Sequence, residues 1–114
     1  MHQHADYVPL HLHSEYSLLD GAIRLKELVE QAAAFRMPAV AITDHGNLFG
    51  AVEMYRRATK AGIKPIIGSE VYITSGNRLE KRHGHDSEDA SFHLILLARD
   101  NHGYRNLVTL VTRA

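Results

Sequence analysis

The chain has 114 residues, 45% of them hydrophobic and 23% charged, a balance that fits one globular domain or part of a larger one. Thirteen basic residues offset thirteen acidic ones, so bulk charge gives no sign of a nucleic-acid-coating protein, and any DNA contact has to come from a local patch or another domain. Cysteine is absent, which excludes disulfides and leaves His, Asp and Glu to hold any metal, a donor set suited to zinc, manganese or iron. The stretch Met1 to Asp6 lacks the basic start and apolar core of a signal peptide. No apolar run approaches the ~18 residues of a membrane span, so a cytoplasmic protein with no membrane partner is expected. The unusual figure is nine histidines.

In chain order, Val8 to His13 alternates and predicts a short strand. Leu25, Leu28, Val29, Ala32 and Phe35 recur at helical spacing between Arg24 and Arg36, and Met37-Pro38 ends that helix. Ala39 to Thr43 is a short apolar run that reads as a buried strand. Leu48 to Ala61 predicts a second helix with Ala51, Tyr55 and Ala58 on one side and Gly62 as its C-terminal cap. Ile63 to Ile67 and Val71 to Ile73 predict a strand bent or interrupted at Gly68. Residues 75–91 are polar and charged and read as a loop. Phe92 to Ala98 is an apolar strand, and Tyr104, Leu107, Val108 and Val111 mark a final helix to the chain end.

The order β-α-β-α-β-loop-β-α argues for an α/β fold, a parallel sheet with outer helices, either an open layer or half of a barrel. No repeat and no second domain shows in the sequence. The last helix carries no Gly or Pro stop signal, so the natural chain is expected to continue.

Ligand-type residues gather where strands are predicted to end, the place where function collects in open parallel sheets and barrels. His11 and His13 are two apart in a strand, so both imidazoles point to one face. Asp44 and His45 follow the second strand, and Glu70 follows the first half of the third. Asp20 can fold back to the same edge, or cap the first helix. Asp44 can cap a helix or orient His45. Glu15 reads as a solvated loop residue. His93 begins its strand, so the strand-end rule does not favour it. His83 and His85 mimic a metal tract, although a charged loop is the commoner explanation, and His2 and His4 fall on an N-terminal tail expected to fray. Arg56, Arg57 and Lys60 read as a solvated helix face. Ser14 and Ser17 lack a nucleophile elbow, and Gly46 to Gly50 matches no phosphate-binding glycine pattern.

Three segments carry a family resemblance. His11-Leu12-His13-Ser14-Glu15-Tyr16-Ser17-Leu18-Leu19-Asp20-Gly21 resembles the first motif of the PHP (polymerase and histidinol phosphatase) superfamily, and Thr43-Asp44-His45-Gly46-Asn47-Leu48-Phe49-Gly50 resembles the second. Gly62 to Glu70 resembles the third, in the form carried by bacterial DNA polymerase III alpha subunits. Phe92 to Ala98 followed by Gly103 to Leu107 also resembles that branch. The resemblance runs from about Tyr7 to the end, outside the 75–91 loop.

It implies a distorted TIM-like barrel holding up to three divalent ions, zinc or manganese foremost, with iron and magnesium as further candidates. The implied ligands are His11, His13, Asp20, His45, Glu70 and His93, so the resemblance brings in the residue that the strand-end rule leaves out. It further implies metal-assisted phosphate-ester hydrolysis, with Asp44 and His45 in the catalytic machinery and Asp44 orienting His45. In the polymerase setting that is 3′–5′ proofreading of DNA, beside the other subunits of the DNA polymerase III holoenzyme. The family's remaining ligands, a Cys and a late Asp-x-His pair, would lie beyond residue 114. The chain thus corresponds to the N-terminal half of such a barrel, without palm, fingers or thumb, and open sheet edges make self-association a further expectation. A metal site that is structural only, and a free-standing small-molecule phosphatase, are the alternatives.

Overall fold

The computed structural model describes residues 3–79 and 92–114. His2, His83 and His85, and most of the 75–91 loop, lie outside the described residues. The elements in order are α1 (Leu25–Ala34), β1 (Ala39–His45), α2 (Ala51–Lys60), β2 (Lys64–Ile73), β3 (Phe92–Leu97) and α3 (Asn101–Arg113).

The apolar stripe of α1 buries Leu25, Leu28, Val29 and Ala32. On α2 the buried positions are Ala51, Met54 and Ala58; Tyr55, expected on that side, is exposed. Both helices stop in the same way. The Met37 N–H reaches the Ala32 carbonyl and the Arg36 N–H the Ala33 carbonyl, while Ile63 reaches Ala58 and Gly62 reaches Thr59. This motif needs a left-handed residue after the cap. Gly62 adopts it at φ 76°, and Arg36 adopts it at φ 56° without a glycine's freedom. The Asp100 side chain caps α3, accepting from the Gly103 N–H. That cap starts α3 three residues before Tyr104, its first expected apolar position.

β1 and β2 run parallel, with Ala39 opposite Lys64 through His45 opposite Glu70. Val40 and Ile42 face α1 and α2 and join Leu25, Leu28, Val29, Met54, Ala58 and Ile63 in the hydrophobic core. By strand alternation Asp44 belongs to that helix-side face, and Thr43 and His45 to the opposite one.

Three expectations need correction. First, among the described residues the sheet has three strands in the order β1-β2-β3. Residues 8–13 run extended beside β1 without forming a regular ladder. The Ala41 N–H meets the Pro9 carbonyl and the Thr43 N–H meets the Leu12 carbonyl, so three residues on one side span two on the other, and Pro9 has no N–H to give. Second, β2 is continuous through Gly68. A Cβ there would collide with the Leu96 carbonyl oxygen and press on the Leu97 side chain, so the glycine permits close approach of β3 rather than marking a break. Third, β3 pairs antiparallel with β2, Gly68 opposite Leu97 through Ile73 opposite Phe92. The sheet is therefore mixed. The sequence between β2 and β3 offers no helical periodicity for the crossover that a parallel return ordinarily uses.

Candidate metal centre

The parallel register sets His45 directly opposite Glu70, and the antiparallel one sets Tyr72 opposite His93. Residues paired across strands share a face, as do Glu70 and Tyr72 two apart on β2. One sheet face therefore carries His45, Glu70, Tyr72 and His93 at one end. The antiparallel turn of β3 is what brings His93 there, because the start of an antiparallel strand lies at the carboxyl end of its neighbour. The extended segment adds His11 and His13. The loop after it folds back through turns closed by Ser17, Asp20 and Gly21 N–H groups and returns Asp20 to the same edge.

Glu70 is the hub, with 4% of its surface exposed. Its Oε2 lies 2.8 Å from His13 Nε2 and 2.8 Å from His45 Nδ1. Its Oε1 lies 3.1 Å from His11 Nε2 and 3.5 Å from His93 Nδ1. Burial pushes the Glu70 carboxyl up, but the His13 hydrogen bond and the charges of His45, His13 and His11 together outweigh it, holding the group below the ordinary glutamate value. On the open side, Asp20 Oδ2 lies 2.7 Å from His45 Nε2 and 4.0 Å from His13 Nδ1. His11, Asp20 and His93 are exposed, and His13 and His45 half-buried, so the cluster has a closed floor and an open mouth.

Three sets, His11 with His13 and Glu70, His13 with Asp20 and His45, and His45 with Glu70 and His93, each offer ligand atoms within 4.8 Å of one another. All six ligand candidates named from the sequence thus fall in one connected cluster. Asp20 does not cap α1, whose N-terminus carries no side-chain cap.

Asp44 is placed differently. It points to the helix-side face, 2% exposed, and caps no helix. Its Oδ1 accepts from the Ser14 N–H at 2.6 Å and the Ser17 hydroxyl at 2.7 Å, and its Oδ2 from the Ser14 hydroxyl at 2.7 Å. The Ser17 oxygen in turn accepts from the His45 N–H at 3.0 Å. Asp44 therefore reaches His45 through the backbone, by way of Ser17, and holds the peptide that follows His13. Charge-assisted bonds of this kind are the stronger class. Ser14, Ser17 and Gly21 are structural members that sequence reasoning missed; a Cβ on Gly21 would collide with the Ser14 carbonyl oxygen. Tyr72 was also missed. Its hydroxyl lies 3.2 Å from His45 Nδ1, and its spacing of two from Glu70 on a strand was a signal that could have found it.

The chain matches the PHP domain family over residues 9–114. It is 48% identical over 110 residues to the DNA polymerase III subunit alpha of Thermus aquaticus, covering 95% of this chain and 9% of that protein. It is 47% identical over 114 residues to that of Aquifex aeolicus, covering 96% and 10%. The chain thus spans about a tenth of the length of these relatives. Among solved structures, an amidohydrolase from Chromobacterium violaceum with bound sulfate and no metal is similar at a TM-score of 0.59 and 27% identity, over 90% of this chain and 32% of that one. A Bifidobacterium adolescentis protein described as a metal-dependent phosphoesterase is similar in fold at a TM-score of 0.58 and 22% identity, over 94% and 34%. Cluster geometry, family match and relatives agree on one conclusion: the chain belongs to the PHP domain family.

Proposed function

We propose that this chain is the N-terminal portion of the PHP domain of a DNA polymerase III alpha subunit, and that it contributes a divalent-metal site for phosphate-ester hydrolysis. The observation that carries the reading is Glu70, a buried carboxylate met by four imidazoles. The donors are nitrogen and carboxylate oxygen only, which suits zinc or manganese, with iron and magnesium as further candidates. Bonds of about 2.0–2.2 Å to a common ion would set ligand atoms roughly 3.3 Å apart, within the 4.8 Å spread of each donor set. The residues present therefore fit the group.

His11, His13, Asp20, His45, Glu70 and His93 would hold the ions. When bound, divalent ions supply Lewis acidity to a phosphate ester and lower the pKa of a water beside it. The protein's own part is to fix the donors. Asp44 locks the Ser14 peptide and, through Ser17, the His45 backbone; Glu70 spaces the imidazoles; and the open mouth at Asp20 and His93 admits substrate.

In the alpha-subunit setting the substrate is a DNA 3′ end, giving 3′–5′ proofreading, with DNA and the other holoenzyme subunits as partners. The sheet is read as the first half of a distorted TIM-like barrel, completed by chain beyond residue 114. Among the described residues β3 is an edge strand, and it exposes Phe92, Leu94 and Leu97, which supports pairing with further chain or, in the isolated fragment, self-association. Among the described residues no helix is long and apolar enough to cross a membrane.

The test is metal content of the intact protein, purified without a His tag, by inductively coupled plasma mass spectrometry, beside hydrolysis of DNA 3′ ends and of a phosphomonoester. One or more ions per chain, lost together with hydrolysis in the His11→Ala, His13→Ala variant, is expected. Full exonuclease activity in a His11→Ala, His13→Ala, Glu70→Ala protein would sink the reading. Bound metal that raises thermal stability without any hydrolysis would replace it with a structural site.

A further inference from the structure

Tyr72 sits inside the cluster without being one of its ligand-type residues. Its ring lies at 10° to that of His45 with centroids 6.1 Å apart, and meets His93 edge-on at 4.9 Å and 88°. Yet 54% of its surface is exposed, so core burial does not explain a large aromatic at this position. The contrast with Tyr16 is direct, since the Tyr16 hydroxyl donates to Glu53 at 2.9 Å and is thereby committed. Among the described residues the Tyr72 hydroxyl meets His45 Nδ1 alone, at 3.2 Å; the other nitrogen of that ring lies 2.7 Å from Asp20 Oδ2, and Nδ1, 2.8 Å from Glu70 Oε2, is one of the atoms that could hold an ion with Glu70 and His93.

A ring nitrogen whose lone pair binds an ion cannot accept the phenol proton. In the metal-loaded site the Tyr72 O–H then keeps a proton with no acceptor among the described residues, held by two imidazole contacts at the open side of the cluster. A tetrahedral oxyanion in the mouth brings the oxygen atoms this donor lacks. We infer that Tyr72 is a substrate-binding residue whose hydroxyl donates a hydrogen bond to a non-bridging oxygen of a phosphate group held at the His45–Glu70–His93 end of the cluster. The inference rests on the phosphoesterase reading and adds to it a named contact for the phosphate.

Tyr72→Phe keeps the ring contacts and removes the donor. The experiment measures binding of inorganic phosphate to the metal-loaded intact protein by isothermal titration calorimetry, with metal content determined on the same samples and KM for a phosphomonoester alongside. A hydrogen bond to a charged group corresponds to roughly tenfold to a hundredfold in affinity. The expected result is unchanged metal content, phosphate binding weaker by about tenfold or more, and KM raised in step. Unchanged phosphate affinity at full metal loading overturns the inference while leaving the phosphoesterase reading intact. Loss of metal with unchanged affinity per loaded site also overturns it, because the hydroxyl would then serve His45. A wild-type protein that binds no metal or no phosphate overturns both.

Discussion

Replacing Asp44 separates its two conceivable roles. In Asp44→Ala three buried groups lose their acceptor at once: the Ser14 N–H, the Ser14 hydroxyl and the Ser17 hydroxyl. A buried donor left unpaired costs about 1–3 kcal/mol. The hydroxyls can rotate toward other acceptors, and losses within one network do not add, so the expected destabilisation is about 3–5 kcal/mol against a total of ~5–15 kcal/mol for an ordinary domain. Asp44→Asn keeps the shape and one acceptor oxygen; its NH₂ has to face a serine hydroxyl that now must accept, which corresponds to about 1–2 kcal/mol. Urea unfolding of the metal-free protein gives both values, and metal content read in parallel should fall with Asp44→Ala as the His13 and His45 backbones loosen. Asp44→Ala unfolding within about 1 kcal/mol of wild type would refute the argument. A variant of normal stability and metal content that lacks hydrolysis would instead assign Asp44 a direct part in the reaction.

Gly68→Ala should cost about 1–3 kcal/mol by driving β3 off β2, and should deplete metal through His93; a melting temperature and metal content equal to wild type would contradict the close approach at Leu96. The Glu70 carboxyl titrates below its ordinary value in the fold, so the metal-free protein should keep that contribution above the unfolded pKa of ~4.3 and lose it as pH falls through the lower folded value. Urea titrations from roughly pH 5 to pH 3 should show this acid loss flattened in Glu70→Gln, and an identical slope would count against it.

Helix positions were legible because α1 and α2 carry clean apolar stripes and end on positions that the chain marks, Met37-Pro38 and Gly62. Tyr55 and Met54 exchanged roles because both fit a helical stripe beside Ala51 and Ala58, and only the shape of the core chooses between them. Strand direction was not legible. The apolar run from Phe92 to Ala98 reads the same in either orientation, and the rule that placed function at carboxyl ends assumed a parallel strand, which is why it left His93 out. Gly68 misled for a related reason: a glycine in a strand marks a break or a close approach, and the partner that decides lies nearly thirty residues away. The destination of Asp44 followed from alternation with Val40 and Ile42 once β1 was known to extend through His45.

The separation of the donors along the chain carries a consequence for folding. His13 and Glu70 meet across 57 residues, and His93 is further still, so most of the cluster exists only after the long loops have closed. His11 and His13, by contrast, are neighbours in any extended chain. An unfolded molecule therefore already offers an ion a two-imidazole grip. Metal stabilises the native state by the difference between the two affinities, and the rise in melting temperature on loading should fall short of what native affinity alone dictates.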